Sequence, residues 1–282
     1  MSWLWVLGVL AACGDNVHPT RMLYIRGGAG TGGFVEDYAD DQLCDIGDFA
    51  TRVYNHGYGE LAKLLEHDGF SIEERVEGPH DDNTSVDLSD LGDFDVVFFA
   101  SNNATYTAED AERVRRFVEG GGSALFVSDA NWGLYWDKAP SSDQTFLRQF
   151  GLVMNQDGGG LTVLSGADFI APAHPILSGV DAFDGEGVSP CTLTHDPAAL
   201  GKATRLVAAK AVVRRPAAGE GPVEQPTEDD ASLAVVEYGA GRVACHFDRN
   251  TFFNENGAGT SLVSQTNTAY AHRLFAWLAH KI

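Results

Sequence analysis

DVVFFASNNATYTAEDAERVRRFVEGGGSALFV, residues 95–127, decides the fold of this chain. Asp95-Val-Val-Phe-Phe-Ala100 is apolar without polar alternation, the pattern of a parallel strand covered on both faces. Thr107, with Asp110 three residues later, forms a capping box that opens a helix through Val118, and Gly120-Gly121-Gly122 stops it. Ala124-Leu-Phe-Val127 is a second buried strand. Two buried strands joined by one amphipathic helix through short connections make a parallel β-α-β unit.

The same grammar extends in both directions. Arg21-Met-Leu-Tyr-Ile25 is a short strand that runs into Gly27-Gly28. Residues 55–67 carry Leu61, Leu64 and Leu65 at helical spacing, with Gly69 as the stop, and residues 71–76 alternate as an edge strand does. The first half therefore reads β-α-β-β-α-β and predicts a three-layer, doubly wound, flavodoxin-like α/β domain with a mostly parallel sheet. Residues 143–150 predict a further helix. Beyond residue 152 the chain is richer in β-runs, at residues 161–164, 204–208, 233–236 and 242–245, and residues 269–278 close it as an apolar-faced helix. Residues 216–230 hold Pro, Gly and acids with almost no large apolar side chain, which predicts a surface loop. Because the last helix must cover the sheet, residues 21–282 are expected to form one cooperative domain.

In open parallel sheets, ligands bind beyond the carboxyl ends of the strands. Here four strands run into Gly27-Gly28-Ala29-Gly30-Thr31-Gly32-Gly33, Ser101-Asn102-Asn103, Ser128-Asp129-Ala130-Asn131-Trp132 and His246-Phe247-Asp248-Arg249-Asn250. Turns and helix caps also use Asn, Asp and Gly, but four such clusters on one edge point to a site. The candidate catalytic groups are Ser128, Asp129, His246 and Asp248. Gly28, Gly30, Asn103, Asn131, Trp132 and Asn250 are the candidate ligand-binding residues. Asp129, Asn131, His246 and Asp248 are expected to line one cleft as partly exposed groups, with Asn103 and residues 28–33 on its rim.

Several chemistries fail on context. Gly28-x-Gly30-x-x-Gly33 matches the dinucleotide fingerprint by letter, yet no helix opens at the third glycine and six acidic residues follow within residues 36–48, which would repel pyrophosphate. Asp37, Asp40, Asp41, Asp45 and Asp48 follow no calcium-loop spacing, and His56, His174 and His246 sit in no zinc-binding pattern, so no metal and no cofactor is indicated. The chain lacks a G-x-S-x-G elbow. A net charge of -21, from 40 acidic and 19 basic residues, repels phosphate backbones and excludes nucleic acid as the expected partner.

The leader gives location. In MSWLWVLGVLAACGDN an apolar run ends in Leu10-Ala11-Ala12-Cys13, the pattern of a bacterial lipoprotein signal. Residues 1–12 then form the signal peptide, Cys13 carries the lipid, and residues 13–20 are a tether. Each buried methylene contributes about 0.8 kcal/mol, so a diacylglycerol anchors a chain where one acyl chain does not. The membrane, through lipid on Cys13, is the expected partner, and the bacterial envelope is the expected location, at its periplasmic face or outer membrane. Gly14 rather than Asp after Cys13 gives no inner-membrane retention signal of the usual kind. Cys44, Cys191 and Cys245 remain, and they are read either as buried free thiols or as one disulfide plus one thiol.

Several segments taken together resemble one family. These are the glycines after the first strand, the triple glycine before Ala124-Leu-Phe-Val-Ser-Asp129, His174-Pro-Ile-Leu-Ser-Gly-Val180, and Tyr238-Gly-Ala-Gly-Arg-Val243. The chain is similar, over about residues 21–280, to the trehalose-utilisation (ThuA-like) branch of the class I glutamine amidotransferase-like superfamily. The active amidotransferases of that superfamily place a cysteine nucleophile after a central strand and a His-x-Glu near a late one. Here the elbow is Ser128-Asp129-Ala130-Asn131, without cysteine, and His246-Phe247-Asp248 keeps the His-x-acid spacing. Attack on a glutamine amide needs a thiolate. The resemblance therefore implies either a tethered binding or accessory module for saccharide-type ligands, with Trp132, Tyr135 and Trp136 available to stack on sugar rings, or a hydrolase using Asp129 or Ser128 with His246 and Asp248.

Overall fold

The computed structural model describes residues 18–26, 57–78, 84–100, 104–127, 145–155, 160–185, 190–210, 213–214, 223–254 and 261–282. In the first half, β1 (Thr20–Arg26), α1 (Gly59–His67), β2 (Phe70–Val76), β3 (Val96–Ala100), α2 (Ala108–Glu119) and β4 (Ser123–Val127) follow in the expected order. The second half contributes β5 (Leu152–Met154), β6 (Thr162–Ser165), β7 (Ala182–Gly185), β8 (Cys191–Leu193), β9 (Lys202–Ala208), β10 (Val213–Arg214), β11 (Val223–Glu224), β12 (Asp230–Tyr238), β13 (Gly241–His246) and α3 (Asn267–Leu278).

The main sheet runs β2-β1-β3-β4-β13-β12-β8-β5, with β9 also on β12. Its first five strands are parallel, and their 2-1-3-4 order completed by a fifth strand is the flavodoxin-like arrangement. The fifth position is filled by β13, more than a hundred residues after β4. Beyond β13 the sheet turns antiparallel, through β12, β8, β9 and β5.

All five residues of β3 and of β4 are buried, as two-sided cover requires. On one face lie Leu61 and Leu65 of α1 with Tyr270, Leu274 and Trp277 of α3. On the other lie Val114 and Val118 of α2 with Phe146 and Phe150. Neighbouring strands interlock through Phe99 and Phe126, stacked at 4.9 Å. The capping box of α2 is complete: the Asp110 N–H donates to Thr107 Oγ1 at 3.2 Å, and the Thr107 N–H to Asp110 Oδ2 at 3.0 Å. After α2, the chain at Gly241 passes so close that a Cβ there would lie 2.1 Å from the Gly122 carbonyl oxygen. Only glycine fits that crossing.

Three expectations are refined. Within residues 145–150 the structure has a short helical turn and then a 3-10 turn at Arg148–Phe150, ended by Gly151. The acidic stretch 216–230 is not loop throughout, since Val223–Glu224 pairs with Val213–Arg214 and Asp230 is the fully buried first residue of β12. Asp230 is held there by the Thr192 hydroxyl at 2.5 Å and the Thr227 N–H at 2.7 Å, partners that composition does not reveal. Of the two cysteine readings, the disulfide holds: Cys191 of β8 is bonded to Cys245 of β13, with Cα atoms 6.4 Å apart, while Cys44 lies outside the described residues. No helix among the described residues is long and apolar enough to cross a membrane.

Candidate functional site

The strands β1, β3, β4 and β13 end level with one another. Arg26 pairs with Ala100, Ala100 with Val127, and Val127 with His246, so the four polar segments that follow all leave the sheet from one row. This register is the physical basis of a shared carboxyl edge. Gly28, Gly30, Asn103, Ser128, Asp129, Asn131 and Trp132 lie outside the described residues, as do Tyr135, Trp136 and Cys13. His246, Asp248 and Asn250 are described, and all three lie together at the end of β13.

His246 is not partly exposed, as expected from sequence, but fully buried, and so is Asp248. The covering groups come from the turn that follows β13 and from β7 and α3, which are remote in sequence. The rings of Phe247 and Phe252 lie 4.8 and 5.0 Å from the imidazole, and Phe183 of β7 lies at 6.2 Å. The Tyr270 hydroxyl of α3 is 2.9 Å from His246 Nδ1, and Thr251 Oγ1 is 3.1 Å from Nε2. Thr251 has a single hydroxyl proton, which it donates to the Asp184 carbonyl oxygen at 2.8 Å. The Thr251 oxygen must therefore accept from the ring, which puts the imidazole proton on Nε2 and leaves Nδ1 to accept from Tyr270. Burial lowers the His246 pKa to about 3, so the ring is neutral at physiological pH. The same burial holds the Tyr270 hydroxyl well above its ordinary pKa, which keeps it a donor.

Asp248 plays a backbone role. Its Oδ1 accepts the Asn250 N–H at 3.2 Å and so caps the 3-10 turn Arg249–Phe252. Its Oδ2 faces β7, where a Cβ on Gly185 would come within 2.4 Å of it. Glycine at that position lets the carboxylate approach the strand.

Sequence reasoning missed the partners of this cluster. Asp184 is 2% exposed, and its Oδ1 accepts from Asn267 Nδ2 at 2.7 Å and Ser264 Oγ at 2.9 Å. Burial raises its pKa. The amide oxygen of Asn267 returns a bond by accepting the Asp184 N–H at 2.9 Å. Farther along the same edge, Glu77 is buried after β2, where it accepts from the Ala104 N–H at 2.9 Å and the Tyr106 hydroxyl at 2.8 Å. No motif marks these residues: Tyr270 belongs to an apolar helix stripe with Leu274 and Trp277, and its hydroxyl is invisible in that pattern. Among the described residues no group of three His, Cys, Asp or Glu side chains could hold a metal ion.

The fold and this edge define a class, the doubly wound α/β domains of flavodoxin-like strand order, here with an antiparallel extension that continues the sheet from the last parallel strand. Within that class the chain is similar in structure to the mmIFT52 N-terminal domain, with a TM-score of 0.56 and 14% identity over 91% of this chain and 97% of that one. It is also similar to the cytoplasmic protein STM3548 from Salmonella typhimurium, with a TM-score of 0.50 and 14% identity over 92% and 98% of the two chains. A protein described as ThuA-like from Bacteroides uniformis matches over 93% of this chain and 92% of that chain, at 14% identity and a TM-score of 0.49. No protein-family model matches the chain, and no curated protein matches it in sequence. At 14% identity the likeness to the first two shows the fold.

Proposed function

We propose that this chain is an envelope-tethered binding module of the ThuA-like, glutamine amidotransferase-like kind, held by lipid on Cys13 and binding a small polar ligand of saccharide type at the carboxyl edge of its parallel sheet. One observation carries the preference for binding over hydrolysis. A general base needs a ring nitrogen free to take a proton, whereas His246 donates through Nε2 to Thr251, accepts through Nδ1 from Tyr270 and is fully buried. His246 acts as part of the rigid base of the edge, where Asp248 also caps the turn that follows β13. Ligand contact then falls to the segments that follow β1, β3 and β4, which include Asn103, Asp129, Asn131 and Trp132. The buried Cys191–Cys245 disulfide supports an oxidising compartment, in keeping with export.

The test has two arms. A glycan array followed by calorimetry on the best hit should give saturable binding to the wild type that Trp132→Ala and Asp129→Ala abolish while leaving the unfolding midpoint in place. Absence of any glycan ligand, together with ester or glycoside turnover that His246→Gln abolishes, would replace this reading with the hydrolase. For the tether, cells fed an alkyne fatty acid should label the wild type and not Cys13→Ala, and equal labelling of both would remove the lipid anchor.

A further inference from the structure

At the opposite end of β13, where the strand begins, lies a groove of about 490 Å³, within the usual size of small-ligand sites. Three adjacent strands bring a row of charges to its floor: Lys202 of β9 pairs with Glu237 of β12, and Glu237 pairs with Arg242 of β13. His174, Pro175 and Trp277 form the walls. In a chain with a net charge of -21, this groove gathers a lysine, an arginine and a histidine.

The donors are unevenly used. Arg242 stacks on Trp277, its Cζ 4.9 Å from the ring centroid, and its Nη1 donates to the backbone oxygens of Trp277 and Ile282. That anchors one corner of the guanidinium at the end of α3. Its Nε and Nη2 form the side-on edge that suits a planar carboxylate, and among the described residues neither donates a hydrogen bond. Glu237 stands 4.0 Å from Nε on a side chain 72% exposed. His174 Nδ1 accepts the Ile176 N–H at 3.3 Å, so the neutral ring carries its proton on Nε2, a further donor. Burial lowers the pKa of that ring, with Glu237 acting against the shift and Arg242 with it. Lys202 is exposed at the groove mouth.

We propose that this groove is a second binding site, separate from the carboxyl edge, for a small organic carboxylate whose charged end is held by the Nε–Nη2 edge of Arg242 with Lys202 and His174, and whose apolar part lies against the exposed ring of Pro175. The free guanidinium edge has carboxylate geometry, and the exposed Pro175 ring stands beside it. Glu237 competes for the same edge from an exposed position.

Benzoate titrated into the full-length chain, followed by the Trp277 indole resonance in 15N-labelled protein, tests this directly, with benzylamine as the cationic control. Benzoate should give saturable shifts and benzylamine none. Lys202→Gln should weaken benzoate about threefold, and Glu237→Gln, which removes the competing carboxylate, should tighten it about threefold. Opposite signs from two exposed substitutions separate charge recognition from any effect on folding. Arg242→Lys should weaken binding by about tenfold or more, and should it fail to fold, the two exposed variants decide alone. The proposal is overturned by the lack of a saturable benzoate shift, by benzylamine acting equally, or by Lys202→Gln and Glu237→Gln changing affinity in the same direction or not at all.

Discussion

Replacing His246 by Gln should change how stability depends on pH, and the size follows from the burial of the ring. The ordinary pKa of 6.5 falls to about 3 in the folded protein. Below pH 6.5 the unfolded chain takes up a proton at His246 that the folded chain refuses, so this residue makes stability fall as pH decreases from 6.5 towards 3. Each unit corresponds to about 1.4 kcal/mol, which gives about 2 kcal/mol lost by about pH 5. Gln cannot titrate. It can still donate to Thr251 but leaves the buried Tyr270 hydroxyl without its acceptor, at a cost of about 1–3 kcal/mol at pH 8. The variant is therefore less stable at pH 8, and the gap should close by about 2 kcal/mol on reaching about pH 5. Burial depresses His174 and His280 as well, which adds to the same trend, while the raised carboxyl of Asp184 loses stability as pH rises and opposes it. These groups are common to both proteins and drop out of the difference. Urea unfolding of wild type and His246→Gln at matched pH values, with an unchanged denaturant slope, measures it. A gap that stays constant from pH 8 to pH 5 would refute the buried, neutral imidazole and with it the argument against a catalytic His246.

Other consequences are simpler. The Cys191–Cys245 bond spans 54 residues, so by loop-closure entropy the double Ala variant should lose about 4 kcal/mol in urea, and a non-reduced tryptic digest should yield the cross-linked peptide. Finding both thiols free to alkylation in the folded protein would contradict the pairing. Gly241→Ala places a methyl 2.1 and 2.2 Å from the backbone oxygens of Gly122 and Val118, and should cost about 3 kcal/mol, or roughly 6–12 °C in Tm. Gly166→Ala, with nothing within 4 Å, is the control that should melt like wild type. Thr107→Ala removes the complete capping box of α2 and should lower stability by about 1 kcal/mol, measured by the same unfolding curves.

Sequence alone determined the parallel half of this protein. Residues 95–127 carry their own instructions: unbroken apolar runs that only a two-sided sheet can bury, a capping box, and a glycine stop, all read within a few neighbours along the chain. The polar and glycine-rich residues after four strands likewise marked the carboxyl edge, because strand ends need no tertiary knowledge to recognise. The tertiary structure decided what those residues face. Asp230 counted as loop by composition and is core because Thr192 and Thr227 meet its carboxylate. His246 counted as an accessible site group and is sealed, because Phe183, Thr251 and Tyr270 arrive from segments up to 63 residues before it and 24 after it. The short strands β5, β7 and β8 were missed for the same reason. Local periodicity reports which face of an element is apolar, whereas burial, tautomer and proton affinity depend on groups brought across the fold, and sequence distance does not encode that approach.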